Sequence, residues 1–178
     1  HDMASALWEL SGEDGLLDAY KKELALHGKT PDEMKPVVRI TTSDTGSGGA
    51  NIFPMLVSGK ENTTISLGSP LRLGHRNGTK LSEFDDQLKL LYGKYQLAAG
   101  NLVKLLKVEV MNPVNCMKGV MDKLGIARKY AAEAADLFVA QYGEDPCTAH
   151  DIYFGISEIL YMLACEGEEG GRIARMEE

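Results

Sequence analysis

Apolar side chains near the start of the chain recur at helical spacing and then switch to the spacing of β-strands. Leucines and a tyrosine three or four positions apart predict an amphipathic helix over 13–27, and Gly28 is placed to end it. Runs of β-branched and apolar residues between turn residues then predict three strands, over 37–42, 52–57 and 65–73. Pro54 and Pro70 lack an N–H group, which favours sheet edges or bulges for the last two strands.

The centre of the chain carries a longer helical pattern. Apolar residues alternate steps of three and four without a gap at Leu81, Phe84, Leu88, Leu91, Tyr95, Ala98, Leu102 and Leu105. This heptad spacing predicts one helix over 79–107, about 40 Å long, with Thr79 as its N-cap. The stripe fits the spine of a domain or one half of a dimer seam, so a homodimer is an open alternative. Leu90 and Leu97 widen the apolar surface beyond the stripe, which favours the spine.

Three shorter helices are predicted to follow, each with its own boundary signals. Asn112 and Pro113 supply a cap and a first helical position, and Gly125 ends that helix. The second helix covers about 128–142. The third begins after Thr148, which can cap it, and reaches about 166.

These elements predict an α+β fold in a single domain over 6–178. A small β-containing part at about 37–75 precedes the long central helix, and a helical part covers about 79–178. Residues 1–5 resemble a vector remnant and are set outside the domain.

Composition narrows the class and the compartment. A length of 178 residues with 44% apolar and 25% charged residues is typical of one globular domain. No apolar run reaches the roughly 18–20 residues that a membrane helix needs, and no signal-peptide pattern opens the chain. Cys116, Cys147 and Cys165 are an odd number at wide spacing and form no disulfide framework. We therefore expect a soluble cytoplasmic protein without membrane contact.

The net charge of −7 is unevenly distributed along the chain. Residues 37–143 carry 13 basic and 9 acidic side chains, a net +4, whereas residues 144–178 carry 2 basic and 9 acidic ones, a net −7. The middle could contact a phosphate backbone weakly, and the acidic end could face a basic protein surface. Solvated charged surfaces are the simpler explanation of both segments.

The catalytic and metal-binding patterns in the chain are incomplete. Asp44 begins a D-T-G turn of the kind that aspartic proteases use, but the apolar strand leading into that motif is missing, and an Asx-turn explains it. Cys147 and His150 have the spacing of zinc ligands without a second pair. Nearby carboxylates also oppose a reactive thiolate at Cys147. We therefore expect no catalytic residue, no metal and no cofactor, and a protein that is not an enzyme.

The three C-terminal helices have lengths compatible with a helix-turn-helix-like unit. Four basic residues near its first turn predict weak contact with a nucleic-acid backbone: Lys118, Lys123, Arg128 and Lys129. The third helix would lie in the groove, but it carries Asp151 and Glu158 and no base-reading side chain. Weak duplex DNA binding without base specificity is therefore left open by the sequence.

Six short segments and His75 stand out as a set. They are RITTSD at 39–44, LGSPLRL at 67–73, NPVNCM at 112–117, LGI at 124–126, CTAHDIY at 147–153 and GGRIA at 170–174. In these segments, over roughly 37–178, the chain resembles a family of phage- and plasmid-type proteins of unknown function from mobile elements of gut Firmicutes. The segments are mainly caps, turns and core positions. Relatives continue past residue 178, so the resemblance implies a short or trimmed member that acts in the cytoplasm of a bacterial host cell.

This genetic context is similar to that of some anti-CRISPR proteins. The resemblance implies a non-enzymatic counter-defence protein that binds a host protein, Cas9 with its guide RNA, and inhibits it. Glu166, Glu168 and Glu169 would compete for a basic channel of that partner. The alternative is a nucleic-acid-binding accessory protein of phage or plasmid maintenance that uses the basic middle region.

Overall fold

The computed structural model describes residues 3–10, 15–30, 34–43, 50–58, 63–73 and 81–165. The chain divides into two compact units, with the boundary between Gly100 and Asn101. The first unit contains an antiparallel sheet and the second is mainly helical, so the predicted α+β fold is confirmed. The single domain over 6–178 stays a prediction, which the unfolding experiments below test.

The first unit is built on a five-stranded antiparallel sheet. Its strands are β1 (Met3–Glu9), β2 (Lys35–Ser43), β3 (Ala50–Ser58), β4 (Thr63–Ser66) and β5 (Leu71–Leu73). β1 pairs with β2, β2 pairs with β3, and both β4 and β5 pair along the other side of β3. Helix α1 (Asp18–Leu26) lies between β1 and β2 in the chain, and helix α2 (Leu81–Leu106) follows β5.

Strand β1 is missing from the sequence prediction. All seven of its residues pair with β2, from Met3 opposite Ser43 to Glu9 opposite Val37. Met3–Ser5, which were set aside as part of a vector remnant, are therefore included in the sheet. The pairing partner lies some thirty residues away, and a short stretch such as Ala6-Leu7-Trp8 has no local pattern that predicts it.

Pro54 lies neither at a sheet edge nor at a bulge in the pairing with β2, so the placement predicted for its strand is wrong. The single strand predicted over 65–73 is divided into β4 and β5. Pro54 lies inside the central strand β3, opposite the interval between β4, whose last partner is Met55, and β5, whose first partner is Ile52. Its carbonyl accepts a hydrogen bond from the Leu67 N–H group at 2.8 Å. The N–H group that Pro54 lacks would face the break between β4 and β5. No hydrogen bond between strands is therefore lost at Pro54. Pro70 lies in that break, between β4 and β5.

The part of α2 in the first unit contributes fully buried side chains to the core. Leu91 and Tyr95, two members of the predicted stripe, have 0% exposure. The Tyr95 hydroxyl accepts a hydrogen bond from the Met55 N–H group at 3.1 Å and contacts the carbonyl oxygens of Val37 and Met55. Because it has one proton, it donates to one carbonyl at a time. The stripe is thus used as the spine at these positions, whereas Thr79 lies outside the described residues.

Replacing Tyr95 by phenylalanine tests this buried contact. We expect a loss of about 1–3 kcal/mol, because the variant leaves buried backbone groups of β2 and β3 without the hydroxyl. Burial also raises the pKa of Tyr95 above its usual range. The stabilisation linked to this higher pKa is present below about pH 10, where tyrosine in the unfolded chain begins to ionise, and is lost as the pH rises further.

Chemical unfolding between pH 9 and 11 measures this loss. Wild type should lose about 1 kcal/mol more than the Tyr95→Phe variant over this interval. Tyr142→Phe is the matched comparison, because burial raises the pKa of Tyr142 to about 12. This variant should also lose less stability than wild type between pH 9 and 11. Equal alkaline losses in wild type and both variants would contradict the proposed linkage.

Among its described residues, the second unit contains the end of α2, three further helices and a small two-stranded sheet. The three further helices are α3 (Pro113–Lys123), α4 (Arg128–Tyr142) and α5 (Ala149–Cys165). All three helices are confirmed, with ends within a residue or so of the predicted ones. Strands β6 (Glu109–Val110) and β7 (Cys147–Thr148) pair antiparallel and are missing from the sequence prediction, because two-residue strands carry no periodic pattern.

The cap predicted for α5 is present. The Thr148 hydroxyl oxygen accepts from the Asp151 N–H group at 3.3 Å, and the Asp151 carboxylate accepts from the Thr148 N–H group at 3.0 Å. The Thr148 hydroxyl also donates to the same carboxylate at 2.8 Å. This reciprocal arrangement is a capping box, and it fixes the beginning of α5 next to β7.

Candidate nucleic-acid interface

The connection between α3 and α4 is a short turn, and hydrogen bonds define both ends of α3. Asn112 caps α3, since its side-chain oxygen accepts from the Asn115 N–H group at 3.3 Å. At the other end Gly125 has a left-handed φ of +72°. Its N–H group donates to Asp122 O, and that of Ile126 donates to Met121 O, both at 3.0 Å. These bonds form a Schellman motif, which ends α3 and leaves four residues before α4.

The three helices share one apolar core beneath this turn. Its buried members are Met117, Met121, Ile126, Ala131, Ala134, Phe138, Ile152, Ile156, Ile159 and Leu160. Each helix contributes to the cluster, and Ile126 anchors the turn itself. The second unit is therefore a trihelical unit with a helix–turn–helix formed by α3 and α4, as predicted from the helix lengths.

The basic residues predicted to contact nucleic acid are all exposed, and three of them surround the turn. Lys123 is the last residue of α3, and Arg128 and Lys129 are the first two of α4. Within the described part of the chain none of these three forms an ion pair. Lys118 lies five positions before Lys123, which is about 140° around a helix, so it points in a different direction. We call Lys123, Arg128 and Lys129 the basic turn.

The beginning of α4 adds further positive potential to the basic turn. Its N-cap is Ala127, which has no side-chain acceptor, and its first turn has no acidic residue. The free N–H groups and the helix dipole therefore carry a partial positive charge beside Arg128 and Lys129. This combination favours an anion such as a phosphate.

Acidic residues limit how much of α4 could approach a nucleic acid. Glu133 and Asp136 are exposed further along α4, and Asp122 is exposed near the end of α3. Their charges oppose a deep insertion of α4 into a groove. The arrangement therefore suits contact with phosphates at the turn and does not suit base reading.

The third helix, through which the sequence predicts no base reading, lies in the core of the unit. From His150 to Leu160, α5 is buried except at the half-buried Tyr153 and Glu158. Asp151 is occupied in the cap of its own helix. α5 remains in the core because apolar residues surround the helix, so the basic turn is presented to solvent by the end of α3 and the beginning of α4.

The predicted C-x-x-H pair packs at the beginning of α5. His150 is buried, and its ring stacks on Phe154 at a centroid distance of 4.2 Å. The half-buried Cys147 directs its sulfur towards its neighbour's carbonyl, Thr148 O, at 3.5 Å. Among the residues that the structure describes, no three His, Cys, Asp or Glu side chains are grouped to hold a metal ion.

Other predicted site residues lie outside the described ranges. Among them are the predicted partner-binding residues Glu166, Glu168 and Glu169, and also Asp44 and His75.

None of the described helices is long and apolar enough to cross a membrane.

The sequence analysis did not predict the exposed apolar side chains at the edge of the sheet. Leu7 and Trp8 on the edge strand β1 are 47% and 56% exposed. The only signal in the sequence is the chain's single tryptophan next to a leucine near the start.

Comparison of the chain with protein-family models, curated proteins and solved structures finds no significant match.

Proposed function

We propose that this protein is a non-enzymatic nucleic-acid-binding protein that contacts phosphates through its basic turn. The observation that carries the proposal is the exposure of Lys123, Arg128 and Lys129 around the uncapped beginning of α4. Helix–turn–helix units use this end of the second helix at the nucleic-acid surface. A role as an accessory protein of phage or plasmid maintenance is consistent with such binding.

The charge balance predicts that binding is weak and independent of sequence. Three cations contact a few phosphates, and the exposed Glu133 and Asp136 oppose closer approach. Non-specific complexes of this kind have dissociation constants of about 10⁻⁴–10⁻⁶ M at physiological salt. With three phosphate contacts, the logarithm of the association constant should fall with the logarithm of salt concentration with a slope of about −2.7.

Fluorescence anisotropy with a labelled duplex of arbitrary sequence tests this proposal. The triple variant Lys123→Gln, Arg128→Gln, Lys129→Gln should lose most of the affinity and most of the salt dependence. The matched control is Lys22→Gln, Lys89→Gln, Lys104→Gln, which removes the same charge from three other exposed lysines. If the two triple variants weaken binding equally, the effect comes from net charge and the basic turn is not the interface. Nanomolar binding of one sequence at physiological salt would also contradict the proposal.

We also propose, as a second candidate, counter-defence through binding of Cas9 with its guide RNA. It is supported by the resemblance described above and by the net charge of −7 over 144–178, within which Glu144 and Asp145 are exposed. Such an acidic segment is attracted to the basic channel of a protein that holds nucleic acid.

A pull-down with purified Cas9–guide RNA separates the two candidates. The counter-defence proposal expects capture by wild type and loss of capture in the variant Glu166→Gln, Glu168→Gln, Glu169→Gln. Glu133→Gln with Asp136→Asn, on α4, is the control that removes acidic charge elsewhere. No capture at micromolar concentration, together with duplex binding, would leave the nucleic-acid proposal alone.

A further inference from the structure

Among the described strands of the first unit, β1 is at the end of the sheet and pairs with β2 alone. β1 pairs with β2 along its full length, and in the order of the described strands nothing lies beyond it. An edge strand presents a row of N–H and C=O groups that can pair with another strand. The outer edge of β1 can therefore accept a further strand.

The register shows which backbone groups face outward. Just after β1, the Leu10 N–H group donates to Pro36 O at 3.0 Å, in the same register as the strand pair. Residues of an antiparallel strand alternate between bonding to one side and to the other. Even-numbered residues of β1 therefore bond to β2, whereas the N–H and C=O groups of Ser5, Leu7 and Glu9 face the free edge.

β1 lacks the features that usually protect an edge strand. It contains no proline and no lysine, and its pairing with β2 has no bulge. Its one charged residue, Glu9, forms an ion pair with Lys35 at 3.3 Å. Leu7 and Trp8 are adjacent in the strand and so lie on opposite faces of the sheet, both substantially exposed. Such an edge is a template for a further strand.

We propose that β1 pairs antiparallel with β1 of a second copy of this chain, which joins the two sheets across a two-fold axis at Ala6. In this register Trp8 lies opposite Ala4 of the other copy and Leu7 lies opposite Ser5. In each of these pairs, a residue with a large side chain in one copy is thus opposite a residue with a small side chain in the other copy. The two Glu9 residues lie six positions apart, or about 20 Å, so their charges do not oppose pairing.

The pairing also assigns a surface to the homodimer that the sequence leaves open. The α2 stripe is buried within the chain at Leu91 and Tyr95 and is not free for a partner there. The β1 seam supplies about eight main-chain hydrogen bonds but little buried area, so we expect a weak dimer of micromolar affinity. Because Met3–Ser5 supply part of the seam, the dimer is proposed for the chain that carries these residues.

The single tryptophan of the chain is a direct reporter of this seam. Sedimentation should show a monomer–dimer equilibrium, and Trp8 emission should shift to shorter wavelength over the same concentration range. Leu7→Pro removes an outward-facing N–H group without removing a bond to β2, so it should remain folded and become monomeric. Leu7→Thr keeps that N–H group and should stay dimeric, with a loss of affinity of about tenfold or less.

Several outcomes would overturn the proposal. A wild-type chain that remains monomeric at about 200 µM excludes a micromolar dimer. A dimer whose Trp8 emission does not change, or one that persists in folded Leu7→Pro, is formed elsewhere. If Leu7→Pro loses its folded circular-dichroism spectrum, Leu7→Lys replaces it, since a charge at the edge should also yield a monomer. Binding of an unrelated extended peptide in place of self-association would likewise reject the second copy as the occupant.

Discussion

Replacing Leu91 by alanine should lower the free energy of unfolding by about 2–5 kcal/mol. Leu91 is fully buried on α2, and truncation of a buried leucine removes apolar burial and leaves a cavity. In a protein of this size each kcal/mol corresponds to about 2–4 °C in Tm, so thermal unfolding should detect the change easily.

Leu90→Ala is the matched control for this prediction. Leu90 is the neighbouring residue of the same helix, and 55% of its surface is exposed. Its truncation should change stability by about 0.5 kcal/mol or less. Similar losses at both positions would show that α2 does not bury the face that contains Leu91 and Tyr95.

Replacing Gly155 by alanine should destabilise the second unit by about 1–3 kcal/mol, although alanine is the better helix former. A Cβ atom at Gly155 would lie 2.7 Å from Cδ2 and 3.1 Å from Cε2 of Phe138, with Met117 Cε at 3.5 Å. Phe138 is itself buried and stacks on Tyr142 at a centroid distance of 4.7 Å. The ring therefore has little freedom to move away, and the added methyl group strains the contact between α4 and α5.

Gly119→Ala is the control for the effect of helix propensity. Gly119 lies on α3, and a Cβ atom there would meet nothing within 4 Å. This variant should be neutral or more stable by up to about 1 kcal/mol. If Gly155→Ala is equally well tolerated, the close approach of α5 to Phe138 does not exist in solution.

Leu91→Ala and Gly155→Ala together test the predicted single domain. Leu91 lies in the first unit and Gly155 in the second. In one cooperative domain both variants shift the same transition. Two transitions, each shifted by one variant, would show that the units unfold separately.

The helices illustrate what local sequence can predict. Asn112, Gly125 and Thr148 mark boundaries through bonds to residues only a few positions away, and Pro113 is suited to the first helical position. The heptad spacing of α2 is likewise a local pattern. Of its members whose burial is described, Leu91, Tyr95 and Leu102 are buried, and Ala98 and Leu105 are half-buried. The sequence also placed the four basic residues near the turn between α3 and α4, but their exposure is known only from the structure.

The strands show where local sequence is insufficient. β1 depends on β2, and the position of Pro54 inside the sheet depends on a break between two other strands. Because strand pairing joins distant segments, a rule about proline within one strand cannot include the state of the neighbouring strand. For the same reason the exposed edge at Leu7 and Trp8 is visible only in the folded sheet.

The sequence by itself determined the α+β class, the helices of the second unit, their caps and the uneven charge, because these depend on composition and on contacts within about one helical turn. Only the tertiary structure decided that α5 is buried and that the end of α3 and the beginning of α4 present the basic turn to solvent. The choice depends on which helix is surrounded by apolar neighbours, and that is a property of the packed core.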